Sequence, residues 1–242
     1  LIGYFPAGFP TLSDSVDAAI AMCRNGVDVL ELGVPYSDPV MDGLVIQQAT
    51  ETALANGFKL RQLFDAVKQI TSAVDTPVLV MTYWNPVLSY GVENFARDLK
   101  EAGGAGLITP DLIPDEAGEW LAVSDKYNLD RVFLAAPTSS AERVARACEL
   151  SRGFIYAVST MGITGTRDSV DDLAKQVVAA VRVADAEQNT AVGIGISSAA
   201  QVADVNSYAD GAIVGSAFVR AYTDGGLAGL TAKVQELSAN LK

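Results

Sequence analysis

The 242-residue chain contains no histidine. That removes Ser-His-Asp and Cys-His nucleophilic catalysis and the commonest metal ligand, so proton transfer falls to Asp, Glu, Lys, Tyr or Cys. Cysteine is nearly absent too. Cys23 and Cys148 each sit in a helix-like stretch, in no metal-ligand spacing. They read as small buried hydrophobes of a reducing, cytoplasmic compartment, not as a disulfide framework. Basic residues are scarce, 17 against 29 acidic ones, for a net charge of -12. Such a chain repels nucleic acid and anionic membranes, and its backbone amides can bind an anion without Lys or Arg. Charged residues are only 19 % and hydrophobic ones 50 %, which excludes a disordered chain and allows a sizeable core. No apolar run is long enough for a transmembrane helix, and no signal peptide is visible. The chain opens at Leu1, without Met and already in a strand pattern, so an upstream segment is expected to precede it.

One pattern recurs along the sequence: a short β-branched run, a turn rich in Gly, Pro and Asp, then an amphipathic helix. The strand candidates are Leu1 to Phe5, Val27 to Leu32, Val78 to Tyr83, Gly106 to Thr109, Val132 to Ala135, Phe154 to Val158, Ala191 to Ile194 and Ala212 to Val214. Helix-period segments are Leu12 to Arg24, Leu60 to Val74, Val92 to Ala102, Asp115 to Tyr127, Ala141 to Leu150, Val170 to Ala184, Ala199 to Tyr208 and Leu227 to Leu241. Thr11, Ser140 and Ser198 are placed to cap helix N-termini, and Gly103-Gly104 to end one. Eight βα units of roughly 30 residues predict an α/β fold of the (β/α)8 TIM-barrel type. A doubly wound open sheet shares this pattern but usually has fewer strands. With no linker or composition shift, residues 1–242 read as a single domain.

In such a barrel, chemistry belongs where strands end and βα loops begin. The run Val27-Asp-Val-Leu-Glu-Leu32 puts Val27, Val29 and Glu31 on one face and Asp28, Leu30 and Leu32 on the other. Facing inward near the carboxyl end, Glu31 is a partly desolvated acid able to exchange a proton near neutral pH. Facing outward, it pairs with a surface cation. The next segment, Gly33 to Gly43, is too long and Pro/Gly-rich for a simple turn, and too apolar for a solvated one. Its Asp38 and Asp42 serve either function or local structure, by capping the helix that begins near Val45 or making an Asx turn.

Two loops invite an anion. Gly193-Ile-Gly-Ile-Ser197 follows the seventh strand, and Gly215-Ser216 the eighth, the usual positions of a barrel phosphate site. Gly195 and Gly215 let amides approach the anion, and the Ser216 hydroxyl can join them. The third glycine of a dinucleotide fingerprint is replaced by Ser198, and no acid follows at the right spacing, which excludes NAD.

Leu30-Glu-Leu-Gly-Val-Pro-Tyr-Ser-Asp-Pro39, then Asp42-Gly43 and Ile46-Gln47, strongly resembles the signature of tryptophan synthase alpha subunits. Matching segments run the length of the chain: Tyr4 to Pro10, Met81 to Pro86, Pro110-Asp111, Tyr156 to Gly165, Gly193 to Ser198 and Gly211 to Ser216. The resemblance implies a lyase that cleaves indole-3-glycerol phosphate to indole and glyceraldehyde 3-phosphate by reversing an aldol reaction, with no metal or organic cofactor. It implies Glu31 as the acid/base, Asp42 as acceptor of the indole N–H, and Tyr156 beside the Glu. Tyr4, Met81, Tyr83, Leu134, Ile194 and Ile213 would line the aromatic pocket. Thr164 would hydrogen-bond Asp42 from a lid loop, with Gly165 near the phosphate. Asp38, Pro39 and Asn85 match a surface that docks on a beta subunit in a heterotetramer, and pyridoxal phosphate is expected only in that partner. Two positions depart from the family. Leu44 stands where Pro is usual, implying a looser loop and modest intrinsic activity, and Thr160 stands where several members carry Arg. Rival readings are a free-standing lyase, a related phosphate-binding barrel enzyme, and a weak or silent subunit that mainly activates a partner.

Overall fold

A computed structural model describes residues 1–158, 167–193 and 195–239. The first half runs β1 Ile2–Pro6, α1 Leu12–Arg24, β2 Val29–Gly33, α2 Leu44–Ala55, α3 Arg61–Thr71, β3 Val78–Met81, α4 Trp84–Tyr90, α5 Val92–Glu101 and β4 Gly106–Ile108. After a 3-10 turn at Pro114–Glu116 come α6 Gly118–Tyr127, β5 Asp130–Val132, β6 Leu134–Ala135, α7 Ala141–Leu150 and β7 Ile155–Val158. The chain closes with α8 Arg167–Ala184, β8 Thr190–Gly193, α9 Ala199–Asn206, β9 Gly211–Val214 and α10 Ser216–Ser238.

The strands hydrogen-bond in the order β5-β4-β3-β2-β1-β9-β8-β7-β6, each pair parallel. The two ends of that order are consecutive in the chain, joined by Phe133 alone, so the sheet returns on itself. This is the predicted barrel with one correction. The expected fifth strand, Val132 to Ala135, is two short strands, one paired with β4 and the other with β7. The break falls where one strand must serve two neighbours diverging around the ring. Phe133 turns its carbonyl to the Tyr156 N–H at 3.0 Å and buries its ring.

Inside the sheet, Ile2, Leu79, Ile108, Val132, Phe154, Ala191 and Ile213 form their own buried cluster. Outside, a larger core fills the space between sheet and helices, from Phe5, Leu30, Leu32 and Val80 to Leu63, Phe95, Trp120 and Phe218. Apolar residues on both strand faces are the mark of a parallel sheet covered by helices.

The helix starts follow the sequence closely. Thr11 accepts the Asp14 N–H at 3.2 Å, Ser140 accepts the Arg143 N–H at 3.3 Å, and Ser198 forms a reciprocal box with Gln201. Gly103, at φ +84°, ends α5, with the Gly103 and Gly104 amides bonded back to Lys100 and Leu99. Two helices lack bounds in the sequence reading. α4 is short and carries Pro86 in its first turn, where a missing N–H costs nothing. α2 begins at Leu44 behind the N-cap Gly43, with no side-chain cap, so neither Asp38 nor Asp42 caps it. The last helix starts far earlier than Leu227. It begins at Ser216 and is kinked at Gly226, whose φ of 60° and ψ of -153° are not helical.

Candidate active site

Glu31 faces inward. In register with Tyr4 on β1 and Leu79 on β3, it is fully buried, and neither carboxylate oxygen has a hydrogen-bond partner. A bare charge there would be severely penalised, so burial pushes its pKa up to about 8 and the carboxyl carries a proton at neutral pH.

A cavity of about 220 Å³ opens beside it at the carboxyl ends of the strands. Its wall includes Glu31, Asp42 and Tyr156, together with Tyr4, Met81, Ile213, Gly195, Gly215 and Ser216. Six of the predicted substrate contacts therefore converge with all three predicted catalytic residues. Met41, Gly43, Ile46, Gly193 and Ile196 also line the cavity. Gly193 could have been found from register. It is two residues beyond Ala191, the β8 partner of Tyr156, so it shares that inward row. A side chain there would meet the Tyr156 hydroxyl at 2.6 Å.

Two predicted pocket residues do not line this cavity, although Leu134 is the register partner of Tyr156 and packs on the same interior cluster. Leu134 lies beyond the break at Phe133 and borders a neighbouring hollow of about 170 Å³ with Pro110, Ile113 and Val158. Tyr83 is outside the cavity wall and organises the loop above it. Its hydroxyl accepts the Met41 N–H at 2.9 Å and its ring packs on Tyr36, centroids 5.3 Å apart. Asn85 donates to the Tyr36 hydroxyl at 3.2 Å, tying the loops after β2 and β3 together. Asp38, beside Pro39, accepts from the Ser37 hydroxyl at 2.6 Å on the exposed part of this loop. Thr164, Gly165, Ile194 and Thr160 lie outside the described residues.

Asp42 sits at the end of that loop, at the cavity rim. Gln47, one turn into α2, donates to its backbone carbonyl at 2.7 Å. Partial burial pushes its carboxyl up to about 6, so it is mostly ionised at neutral pH. The two acids thus differ in proton state: Glu31 is sealed in the barrel, while Asp42 keeps one side toward the mouth. Leu44 is the first residue of α2, where an N–H has no helical partner and Pro would cost no bond. Gln47 fastens this end of the loop through the Asp42 carbonyl.

The anion end of the cavity has no Lys or Arg among the described lining residues. Gly195 adopts φ +73°, and the space where its Cβ would stand is empty, which leaves its backbone open. The following amides of Ser197 and Ser198 are already bonded to the Gln201 side chain at 2.6 and 2.9 Å. α10 is different: its N-cap Gly215 offers no side-chain cap, so its first amides and the Ser216 hydroxyl stay available, with the helix dipole behind them. Glycine at 215 also leaves room for Tyr4, whose ring a Cβ would touch at 3.3 Å.

The family model of the tryptophan synthase alpha chain matches residues 1–242. The tryptophan synthase alpha chain of Leifsonia xyli subsp. xyli is 66% identical over 228 residues, 94% of this chain and 87% of the relative. That of Mycobacterium avium is 54% identical over 243 residues, 100% of this chain and 89% of the relative. Among solved structures, a Mycobacterium tuberculosis tryptophan synthase chain superposes with TM-score 0.92 at 52% identity, covering 98% of this chain and 90% of that one. A chain of the tryptophan synthase complex from Pyrococcus furiosus gives TM-score 0.87 at 34% identity, covering 98% and 96%.

Proposed function

The chain belongs to the tryptophan synthase alpha chain family, and from that premise we propose that Glu31, Asp42 and Tyr156 carry its reaction in the cavity at the barrel mouth. The enzyme is a carbon–carbon lyase that splits indole-3-glycerol phosphate into indole and glyceraldehyde 3-phosphate. The observation that carries the assignment of roles is the pairing of a buried protonated acid with a rim acid that stays ionised, in one cavity.

Protonated Glu31 gives its proton to the indole ring carbon that bears the glycerol chain. The ring becomes cationic, and Asp42, accepting the N–H, stabilises that charge. The glycerol hydroxyl next to the ring then loses its proton to the Glu31 carboxylate. Its oxygen forms the aldehyde carbonyl as the carbon–carbon bond breaks, and the bonding pair returns to the ring. One proton enters and one leaves, so Glu31 ends as it began. Tyr156 lines the ring pocket in the field of Glu31. The phosphate rests on the amides of Gly195, Gly215 and Ser216 and on the Ser216 hydroxyl. Proton transfer and charge stabilisation suffice, so we assign the chain no metal or organic cofactor. Pyridoxal phosphate belongs with the partner.

That partner is a tryptophan synthase beta subunit, as in the a2b2 complex of Pyrococcus furiosus. Of the large hydrophobics left exposed, Val40, Leu44, Leu88 and Ile113 lie on the segments after β2, β3 and β4. Exposed apolar side chains on the segments that follow the strand ends suit a partner that receives indole there. Asp38, Pro39 and Asn85 fall on the same face. No helix among the described residues is long and apolar enough to cross a membrane, and we place the enzyme in the cytoplasm.

The proton states set the pH dependence. Activity requires Asp42 ionised and Glu31 protonated, so kcat/KM for indole release is expected to be bell-shaped, with limbs near about 6 and about 8. Steady-state rates from pH 5 to 9 check this. A profile flat across that range would remove both acids from their roles.

A further inference from the structure

The loop that carries Asp42 has no backbone ladder. From Pro35 to Asp42, no main-chain N–H or carbonyl bonds to another main-chain group among the described residues. Side chains must therefore hold it. Gln47 holds the Asp42 carbonyl from α2 at 2.7 Å. The Tyr83 hydroxyl accepts the N–H of Met41, the residue just before Asp42, at 2.9 Å, and also faces the Val40 N–H. These two holds bracket Met41 and Asp42, whose φ and ψ angles aim the Asp42 side chain. Tyr83 itself stands on a fixed base. Just before it, the Thr82 N–H bonds the Ile108 carbonyl at 3.1 Å, and the buried Thr82 hydroxyl donates to the Tyr83 carbonyl at 3.1 Å. Just after it, the Trp84 N–H donates to both Asp111 carboxylate oxygens, at 2.9 and 3.0 Å. Tyr83 is buried and does not line the cavity, so its hydroxyl serves the loop.

We propose that Tyr83 is a positioning residue: its hydroxyl pins the Met41 N–H to the end of β3 and, with Gln47, fixes the Asp42 main chain so that the carboxylate meets the indole N–H. This role rests on that of Asp42 as the indole acceptor. Asp42 acts most strongly once the ring becomes cationic, so a small displacement costs transition-state stabilisation more than substrate binding. A shift of about 1 Å in such a group can cost up to about 100-fold. Burial pushes the Tyr83 pKa up to about 12, so the phenol stays neutral and its oxygen remains an acceptor throughout the working range.

Tyr83→Phe keeps the ring that packs on Tyr36 and removes the oxygen, which leaves the Met41 N–H unheld. In steady-state assays, kcat for indole release is expected to fall about tenfold while KM changes by no more than about twofold. In an Asp42→Asn background, Tyr83→Phe is expected to cost no more than about twofold further, because the group it positions is already gone. An unchanged kcat in Tyr83→Phe overturns the proposal. So does a loss of about tenfold that persists after Asp42→Asn, because the hydroxyl would then support the fold or act elsewhere. Asp42→Asn alone releasing indole at the parental rate is a distinct failure, and it would remove the role of Asp42 itself.

Discussion

Glu31→Gln is expected to lower indole release from indole-3-glycerol phosphate by about 10²–10⁴-fold, the usual worth of a positioned general acid–base. Glutamine fits the same buried position but cannot give the ring its proton or accept one from the glycerol hydroxyl. Tyr4 and Tyr156, held protonated by burial and by the two acids, cannot substitute as bases. Steady-state assays of parent and variant at pH 7 check it, and equal rates would take Glu31 out of the mechanism. Stability should move the other way. The folded-state pKa of Glu31, about 8, lies above the ordinary 4.5. Its contribution is therefore complete below about pH 4.5 and is lost as pH rises toward 8, because unfolding frees the acid to ionise in water. Glutamine has no such slope. Its advantage over the parent should grow from pH 5 to pH 8 and reach roughly 3 kcal/mol at pH 7. Denaturant midpoints across that range measure it.

Gly106→Ala is expected to destabilise the fold by at least about 3 kcal/mol, or to prevent soluble expression. Gly106 on β4 is the register partner of Asp130 on β5, and an added Cβ would fall on the Asp130 carbonyl. That backbone cannot retreat easily. The next residue, Arg131, is nearly buried and is held by the Leu150 carbonyl, the Ser124 hydroxyl and the Asp125 carboxylate. The β4–β5 pairing is short and is one of the two attachments that let the broken fifth strand close the ring. Gly118→Ala is the matched control. Nothing lies within 4 Å of its added Cβ at the start of α6, so stability should hold or rise slightly. Urea midpoints of the two variants decide the matter, and equal midpoints would show that the sheet has room at Gly106.

Much of the barrel was legible because each strand and helix keeps its own period. The three predicted N-caps are present because Thr11, Ser140 and Ser198 act on amides three residues away, well within local reach. The direction of Glu31 was not legible. Val27 to Leu32 is apolar on both faces, as a strand covered on both sides must be, so alternation alone cannot choose. The break at Phe133 was hidden for a related reason: Val132-Phe-Leu-Ala135 reads as one apolar run, and only pairing with β4 and β7 divides it. At the anion end, the glycines were visible but the use of the amides was not. Gln201 occupies those of Ser197 and Ser198, which leaves the uncapped start of α10 as the open donor group.

The proton states of the two acids carry the whole account, and carbon-detected NMR titration of the Glu31 and Asp42 side-chain carboxyls in the substrate-free enzyme measures them directly. Glu31 should titrate near pH 8 and Asp42 near pH 6. A Glu31 carboxyl that titrates near its ordinary 4.5 would be ionised at neutral pH, with no proton to give the indole ring.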